Sequence, residues 1–284
     1  MQPQQLVQDV EHLFSLPDVA IRIDRLIDAP GSTARQLSEA VQLDAGLSAT
    51  ILRLANSAWY GLPSRVDTIS RAITLIGSKA LRDLVLSTSV IKAFRGIPEE
   101  FVSMLDFWDN SVHCGVLARA IAHKRGIRDN EHLFLAGLMH KIGRLVFYAS
   151  RPMQYRQVLR VKDQGEAALV AAEREVFGFT YAELGGALLK AWGLPTNLQY
   201  AISMQLDASH YPHRPNEAAI LTVAADMATH MSPDIHDRNR ASAYTPGYDA
   251  AVLEMVGLDN QELIEIMQSS LVQTIELIEI INPG

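Results

Sequence analysis

The stretch that decides the fold is EHLFLAGLMHKIGRLVFY, residues 131–148. Its apolar residues recur at helical spacing, which predicts a helix over residues 130–149. One face of this helix carries Leu133, Ala136, Gly137 and His140. Gly137 lies one turn before His140 and would let another helix approach closely. A histidine followed by an aspartate on a buried helix can bring two ligands to one metal ion. Here the second residue is Lys141, a cation where a metal would need an anion.

Composition places the chain among ordinary globular proteins. It has 284 residues, of which 48% are hydrophobic and 20% charged, enough for a sizeable core in one or two domains. The net charge of −7 argues against nucleic-acid and anionic-membrane partners, because phosphate contacts need concentrated Lys and Arg. Cys114 is the single cysteine, which excludes an internal disulfide framework. Neither a signal peptide nor a run of about 18 apolar residues is present, so we expect a cytoplasmic protein.

Nearly every segment has helical periodicity and strict period-two alternation is missing, so the predicted fold class is all-α. In the second half, helices are predicted at 105–125, 130–149, 152–163, 165–177, 180–192 and 196–206. The pattern loosens at FRGIPEEF, residues 94–101, where we place a boundary. The predicted units are an N-terminal helical bundle, a second helical domain, and a loop with a C-terminal helix, at residues 1–98, 99–231 and 232–284.

Capping signals mark several helix starts in the first hundred residues. Ser15 and Ser78 are candidate N-caps, because a serine hydroxyl can accept from a free backbone N–H of the first turn. Thr33 and Gln36 have the spacing of a capping box. These signals predict helices that begin near residues 16, 34 and 79.

Residues 32–58 have the rhythm of a DNA-reading helix-turn-helix motif. The second helix would have to present basic and amide side chains to base edges, and it offers only Arg53 and Asn56. Two helices joined by a short turn are common in helical proteins. We therefore interpret this pair as core packing, and a DNA-binding regulator as the weakest of the three function classes considered.

Several sequence blocks, in order along the chain, resemble the HDOD family, signalling relatives of the HD-type metal-dependent phosphohydrolases. The resemblance runs from about Leu16 to Asp226 and is carried by LPDVAIRIDRLID, LDAGLSATILRLANSAWYG, TISRAITLIGSKALRDLVL, FWDNSVHCGVLARAIA, LFLAGLMHKIGRLVFY, YAELGGALLKAWGLP and AADMA. It implies an N-terminal helical bundle packed on an HD/phosphodiesterase-like helical domain, with a C-terminal helical extension. It also implies a bacterial-type role in signal transduction. Since no room remains for another full domain, we expect the protein to act through separate signalling partners.

The metal-binding positions that this resemblance implies are mostly substituted. His140 and Asp226 keep ligand types, whereas the aspartate of the histidine–aspartate pair is Lys141. The other expected histidines fall on Asn110, Tyr181, Gln205 and Leu206. A catalytic metal needs about three protein ligands and an open position. We therefore predict a degenerate site that holds no metal or other cofactor, in a protein that is not an enzyme.

Other histidines could replace the missing ligands. His113 lies about one turn after Asn110, and His210 follows the expected histidine pair. The alternative function is therefore a metal-dependent phosphohydrolase, with a phosphodiester or nucleotide substrate, that uses His140, Asp226 and one of these histidines. Without a metal, His140 and Asp226 could instead form a plain hydrogen bond that orders the core.

The degenerate site could also bind an anion. Lys141 and Arg144 are three residues apart on one predicted helix and share a side. A cation in place of a metal can neutralise a phosphate without hydrolysing it, which would suit a nucleotide-like ligand. The alternative is that both side chains reach solvent beside the apolar stripe.

The C-terminal helix carries an apolar stripe formed by Leu263, Met267, Leu271, Ile275 and Ile278. The stripe either docks back on the helical domain or forms an interface with a partner or a second copy of the chain. Taken together, the residues predict a non-catalytic regulatory protein that presents helical surfaces and a degenerate cleft to a partner protein or a small ligand.

Overall fold

The computed structural model describes residues 2–10, 14–94, 96–128, 130–213, 216–232 and 238–281, and within these ranges all regular secondary structure is helical, as predicted. The first half contains α1 (Pro3–Val10), α2 (Asp18–Asp28), α3 (Ala34–Val41), α4 (Ala45–Ala55), α5 (Ile69–Ile76) and α6 (Ser78–Ala93). The middle contains α7 (Met104–Lys124), α8 (Glu131–Met139), α9 (Ile142–Ser150), α10 (Pro152–Val158), α11 (Glu166–Phe177), α12 (Tyr181–Ala191), α13 (Thr196–Ser203) and α14 (Glu217–Met231). Two 3-10 helices cover Leu159–Gln164 and Ala208–His210. The chain continues with α15 (Arg238–Ser242), α16 (Ala250–Val256) and α17 (Asn260–Ile281).

Side-chain caps define some of the helix starts. The predicted capping box is confirmed: Gln36 N donates to Thr33 Oγ1 at 3.3 Å, and Thr33 N donates to Gln36 Oε1 at 2.9 Å. The predicted caps Ser15 and Ser78 are wrong. Helix α2 follows Pro17, whose fixed φ suits this position, and Ser78 is itself the first residue of α6.

The pair α3–α4 that resembles a helix-turn-helix motif is packed into the protein. Leu37, Leu47 and Ile51 are buried. Arg53 Nη2 donates to the Ile280 carbonyl at 3.4 Å, and the Asn56 amide bonds to the Leu52 and Val66 carbonyls. The two side chains that would read bases therefore hold parts of the chain together.

Helices α7 and α8 cross at a contact between two glycines. A Cβ atom on Gly137 would lie 2.4 Å from Gly115 Cα, and one on Gly115 would lie 2.5 Å from the Phe134 carbonyl oxygen. Neither position can therefore accept a side chain at this helix separation. The predicted close approach at Gly137 is confirmed, and it fixes the end of α8, with His140, against α7.

The predicted helix over residues 130–149 is two helices. Helix α8 ends in a C-cap at His140, and α9 follows an N-cap at Lys141, where φ is −109° and ψ is 8°. The prediction that Lys141 and Arg144 share one face of one helix is therefore wrong. Helix α9 instead packs against the start of α12, where a Cβ on Gly143 would lie 2.0 Å from the Tyr181 carbonyl oxygen.

The C-terminal helix docks on the rest of the chain, mainly on α7. Leu263, Met267 and Leu271 of the apolar stripe are buried in this contact. Further along, Glu276 Oε2 accepts a hydrogen bond from Ala58 N at 2.9 Å. Of the two alternatives for the apolar stripe, the structure shows docking on the same chain. A homodimer stays a prediction.

One continuous hydrophobic core runs through both halves of the chain. The unit boundary near residue 98 stays a prediction. None of the helices in the described ranges combines the length and the apolar character that crossing a membrane requires.

Candidate functional site

A cleft of about 600 Å³ lies where α9, α11, α12 and α14 meet the segment before α16. Five of the seven predicted positions line it, namely Lys141, Tyr181, Gln205, Leu206 and Asp226. The structure thus brings together residues that are up to 85 positions apart in sequence. The other two positions, Asn110 and His140, lie outside this lining.

His140 lies buried beneath the cleft. Its Nδ1 is 2.7 Å from the Gly137 carbonyl, which can only accept, so Nδ1 carries the proton and Nε2 keeps its lone pair. Among the described residues Nε2 has no hydrogen-bond partner. Burial, reinforced by the nearby charge of Lys141, lowers the pKa of His140 to about 3, so the ring is neutral. Gln205 Nε2 donates to the His140 carbonyl at 2.8 Å, which connects a residue of the cleft lining to the buried histidine.

Asp226 is held by the segment that follows α15. Its Oδ2 accepts hydrogen bonds from the Tyr244 hydroxyl at 2.7 Å and from Gly247 N at 3.1 Å. A Cβ on Gly247 would lie 2.7 Å from Asp226 Oδ1, so a side chain at this position would displace the Asp226 carboxylate. The alternative of a hydrogen bond between His140 and Asp226 is wrong, because His140 Nδ1 binds the Gly137 carbonyl and Nε2 has no partner among the described residues.

Lys141 extends into the cleft from the break between α8 and α9. Its Nζ is 3.4 Å from Thr229 Oγ1 on α14, a long and weak hydrogen bond. Glu166 faces it across the cleft. Burial raises the pKa of Glu166, but the charges of Lys141 and Arg144 more than offset this and lower the pKa to about 2. Lys141 therefore supplies positive charge to the cleft close to the Glu166 carboxylate.

Arg144 points into the protein. Its Nε donates to Glu173 Oε1 and its Nη1 to Glu166 Oε2, both at 2.9 Å, and its guanidinium lies 4.4 Å from the centre of the Tyr181 ring. The side chain is only 7% exposed, so the prediction that it reaches solvent is wrong. Since two carboxylates already neutralise it, the anion-binding prediction at this cleft depends on Lys141 alone.

Glu166 and Glu173 are functional neighbours that the sequence analysis missed. Glu173 is fully buried and accepts from Arg144, from the Tyr155 hydroxyl and from Tyr181 N, the last at 2.8 Å. The two glutamates are seven residues apart on a predicted helix, hence on one face. That spacing, together with Arg144 on the predicted helix 130–149, was the available signal.

The histidines considered as substitute ligands, and the predicted position Asn110, are not among the residues that line the cleft. Asn110 is half-buried on α7, and His113 is fully buried on the same helix, where burial lowers its pKa to about 4. His210 is exposed and pairs with Asp207 Oδ2 at 2.9 Å. Within the described ranges no three His, Cys, Asp or Glu side chains are grouped so that they could hold a metal ion. A divalent metal of the HD type therefore does not fit the residues of this site.

The charge of the cleft is predominantly negative. Lys141 is the one basic residue among the described residues that line it, against four carboxylates, those of Glu166, Asp207, Asp226 and Asp249. Glu166 is compensated by Arg144. The remaining surplus of negative charge disfavours a ligand with several phosphates.

The chain is similar to known proteins in both sequence and fold. The sequence model of the HDOD domain matches residues 13–208. A curated relative, an uncharacterized protein of Treponema pallidum (strain Nichols), is 24% identical over 212 residues, which are 73% of this chain and 40% of that protein. The chain thus spans less than half the length of that relative.

Among solved structures, a "Putative phosphohydrolase" from Shewanella amazonensis SB2B is 27% identical, with a TM-score of 0.77 over 97% of both chains. An HDOD domain protein from Geobacter sulfurreducens is 21% identical, with a TM-score of 0.72 over 98% of this chain and 97% of its own. A "Putative signal transduction protein" from Marinobacter aquaeolei VT8 is 22% identical, with a TM-score of 0.70 over 97% of this chain and 60% of its own. The last two, below one quarter identity, establish the fold alone.

Proposed function

The chain belongs to the HDOD domain family, and we propose that it is a non-catalytic, regulatory component of signal transduction. The observation that carries the proposal is the Lys141 ammonium in the cleft, beside an Asp226 carboxylate that Tyr244 and Gly247 already occupy. A divalent cation there would meet a like charge and would lack its third ligand. Hydrolysis of a phosphoester by metal-activated water is therefore disfavoured at this site.

Metal content and hydrolysis, measured together, test this proposal. The purified protein would be incubated with manganese, iron or zinc, desalted, and analysed by mass spectrometry, and then assayed with bis(p-nitrophenyl) phosphate. We expect far less than one metal per chain and no turnover. A Lys141→Asp variant, which replaces the ammonium by a carboxylate, is expected to bind more metal than the wild type.

The competing function is a metal-dependent phosphohydrolase, favoured by the similarity to the Shewanella protein, a "Putative phosphohydrolase", and by the free Nε2 lone pair of His140. Close to one metal per chain in the wild type, with hydrolysis that is lost in Asp226→Asn, would establish it and overturn our proposal. The exposed His210 serves as a control, because His210→Ala should change neither measurement.

A regulatory role requires something to bind, and we propose partner proteins of the cytoplasm rather than a nucleotide at this cleft. The surplus of carboxylates there opposes phosphates, and Lys141 is the one cation available to them among the described lining residues. Calorimetric titration with mononucleotides would decide between them. Binding that disappears in Lys141→Ala would restore the nucleotide-like ligand at this cleft, whereas binding that is absent, or is the same in both proteins, supports the protein-partner proposal.

A further inference from the structure

A second cleft, of about 400 Å³, lies between α7, α17 and the loop after α4. We call it the α7–α17 cleft. Helix α7 contributes Arg119, His123 and Lys124. Arg119 and His123 are four residues apart and share a face of the helix. Helix α17 contributes Ser269, Ser270 and Gln273, and Trp59 closes one end. The cleft is separate from the candidate functional site, with which it shares no lining residue.

The α7–α17 cleft has the opposite charge to the rest of the molecule. Three basic side chains line it, and no acidic side chain does so among the described residues, although the whole chain has a net charge of −7. Lys124 has a long, exposed ion pair with Glu262, at 3.7 Å. Such a pair contributes little and is easily exchanged for a better partner. The cleft is thus a local concentration of positive charge, with hydroxyl and amide groups beside the apolar Val116, Ala120 and Ile266.

Arg119 is held in place without a counter-ion. Its guanidinium lies over the Trp59 ring, 4.1 Å from the ring centre, and Trp59 in turn contacts Phe134. The side chain is half-buried, and within the described ranges no hydrogen-bond acceptor or carboxylate pairs with it. Burial lowers the pKa of Arg119, whereas Tyr60 and Glu131 raise it from a distance. A guanidinium stacked on a ring keeps its N–H donors in the plane, free to bind an oxyanion.

We infer that the α7–α17 cleft binds a small phosphorylated metabolite, a phosphomonoester with a polar body. Arg119 binds the phosphate through its planar donors, Lys124 adds a second positive charge, and the His123 ring supplies a further hydrogen-bonding nitrogen. Ser270 and Gln273 supply hydrogen bonds to the body of the ligand from α17. The cleft has the volume of a small-molecule site.

The position of the cleft gives such a ligand a structural consequence. It contacts α7, α17 and Trp59, which come from the middle, the end and the first half of the chain. Next to Trp59, Ala58 N is already bonded to Glu276 of α17. A ligand that binds only the folded, docked arrangement stabilises it in proportion to its concentration. Occupancy of the cleft would therefore fasten the C-terminal helix to the rest of the molecule.

The test is titration of the full chain with inorganic phosphate, ribose 5-phosphate and AMP, and with ribose as the uncharged control, followed by tryptophan fluorescence and calorimetry. We expect saturable binding of at least one phosphorylated probe and none of ribose. Arg119→Gln should weaken that binding at least about ten-fold, because a charge-assisted hydrogen bond is lost. Arg160→Gln, at an exposed arginine on the 3-10 helix Leu159–Gln164, should leave it unchanged.

Two further variants keep the test decisive. Lys124→Gln alters an exposed side chain that folding does not require, and it should weaken binding several-fold even if Arg119→Gln does not fold. Lys141→Ala should have no effect, which separates this cleft from the candidate functional site. The inference is overturned if no phosphorylated probe binds, if Arg119→Gln folds and binds as the wild type does, or if Lys141→Ala abolishes binding.

Discussion

Replacing Glu173 by glutamine tests the charge network beneath the cleft. The Glu173 carboxylate is fully buried and accepts three hydrogen bonds, from Arg144 Nε, the Tyr155 hydroxyl and Tyr181 N. Glu173→Gln keeps the shape of the side chain but removes its charge. It also replaces one acceptor oxygen by an amide that only donates. At least one of the three donors would then face another donor.

The size of the effect follows from these contacts. A hydrogen bond to a charged group contributes about 1.5–3 kcal/mol, and removing one partner of a buried ion pair costs about 3–5 kcal/mol. Arg144 keeps Glu166 as a second carboxylate, which limits the loss. We therefore expect the free energy of unfolding to fall by about 3 kcal/mol, a large part of the stability of an ordinary domain.

Urea unfolding followed by far-UV circular dichroism measures this loss, provided that the slope against urea concentration stays constant. Glu175→Gln is the matched control, because Glu175 is exposed on the same helix, and it should change stability by less than about 0.5 kcal/mol. If Glu173→Gln came within about 1 kcal/mol of the wild type, the network would not hold α9, α11 and α12 together as we argue.

Two other predictions concern the packing and the pH dependence. Gly137→Ala should lower the free energy of unfolding by about 3 kcal/mol or more in urea unfolding, because its Cβ would lie 2.4 Å from Gly115 Cα. Gly46→Ala is the control, because the nearest atom there is a side-chain oxygen at 3.3 Å, and it should change the free energy of unfolding by no more than about 1 kcal/mol. Equal losses in the two variants would refute the close crossing of α7 and α8. Burial raises the pKa of Asp83 from 3.8 to about 7, so the folded state binds the proton more tightly than the unfolded state, and the stability due to the neutral carboxyl is lost as the pH rises through this window. The free energy of unfolding of Asp83→Asn, relative to that of the wild type, should therefore rise by roughly 2–4 kcal/mol from the acidic to the neutral end of this pH window. A difference between the two proteins that does not change with pH would contradict the burial of this carboxyl.

The fold could be predicted from sequence where local signals decide it. The helical periodicity, the Thr33–Gln36 capping box and the close approach at Gly137 are properties of neighbouring residues, and all three are confirmed. The break at His140 and Lys141 was missed, because neither residue type interrupts a helix on its own. It results from tertiary packing, since α7 fixes the end of α8 and α12 fixes the start of α9.

The candidate site was harder to predict than the fold, because its contacts join distant segments. Arg144 was given two alternatives, an anion ligand or solvent, and neither is correct, because its carboxylate partners lie 22 and 29 residues further on. Tyr244 was missed for a similar reason: the loop before α16 has no periodicity that would indicate contact with Asp226. The positions that converge on the cleft were found through the resemblance to a family, and composition alone would not have found them.

The hydrogen bonds that Tyr244 and Gly247 donate to Asp226 have a consequence for relatives of this protein. The HDOD domain model ends at residue 208, so both the carboxylate and the segment that covers it belong to the part of the chain outside that match. Two family members can therefore match the shared domain equally well although one has an open cleft and the other a covered one. The difference in behaviour between them would lie in the residues that follow the shared domain, and a classification based on that domain alone would group them together.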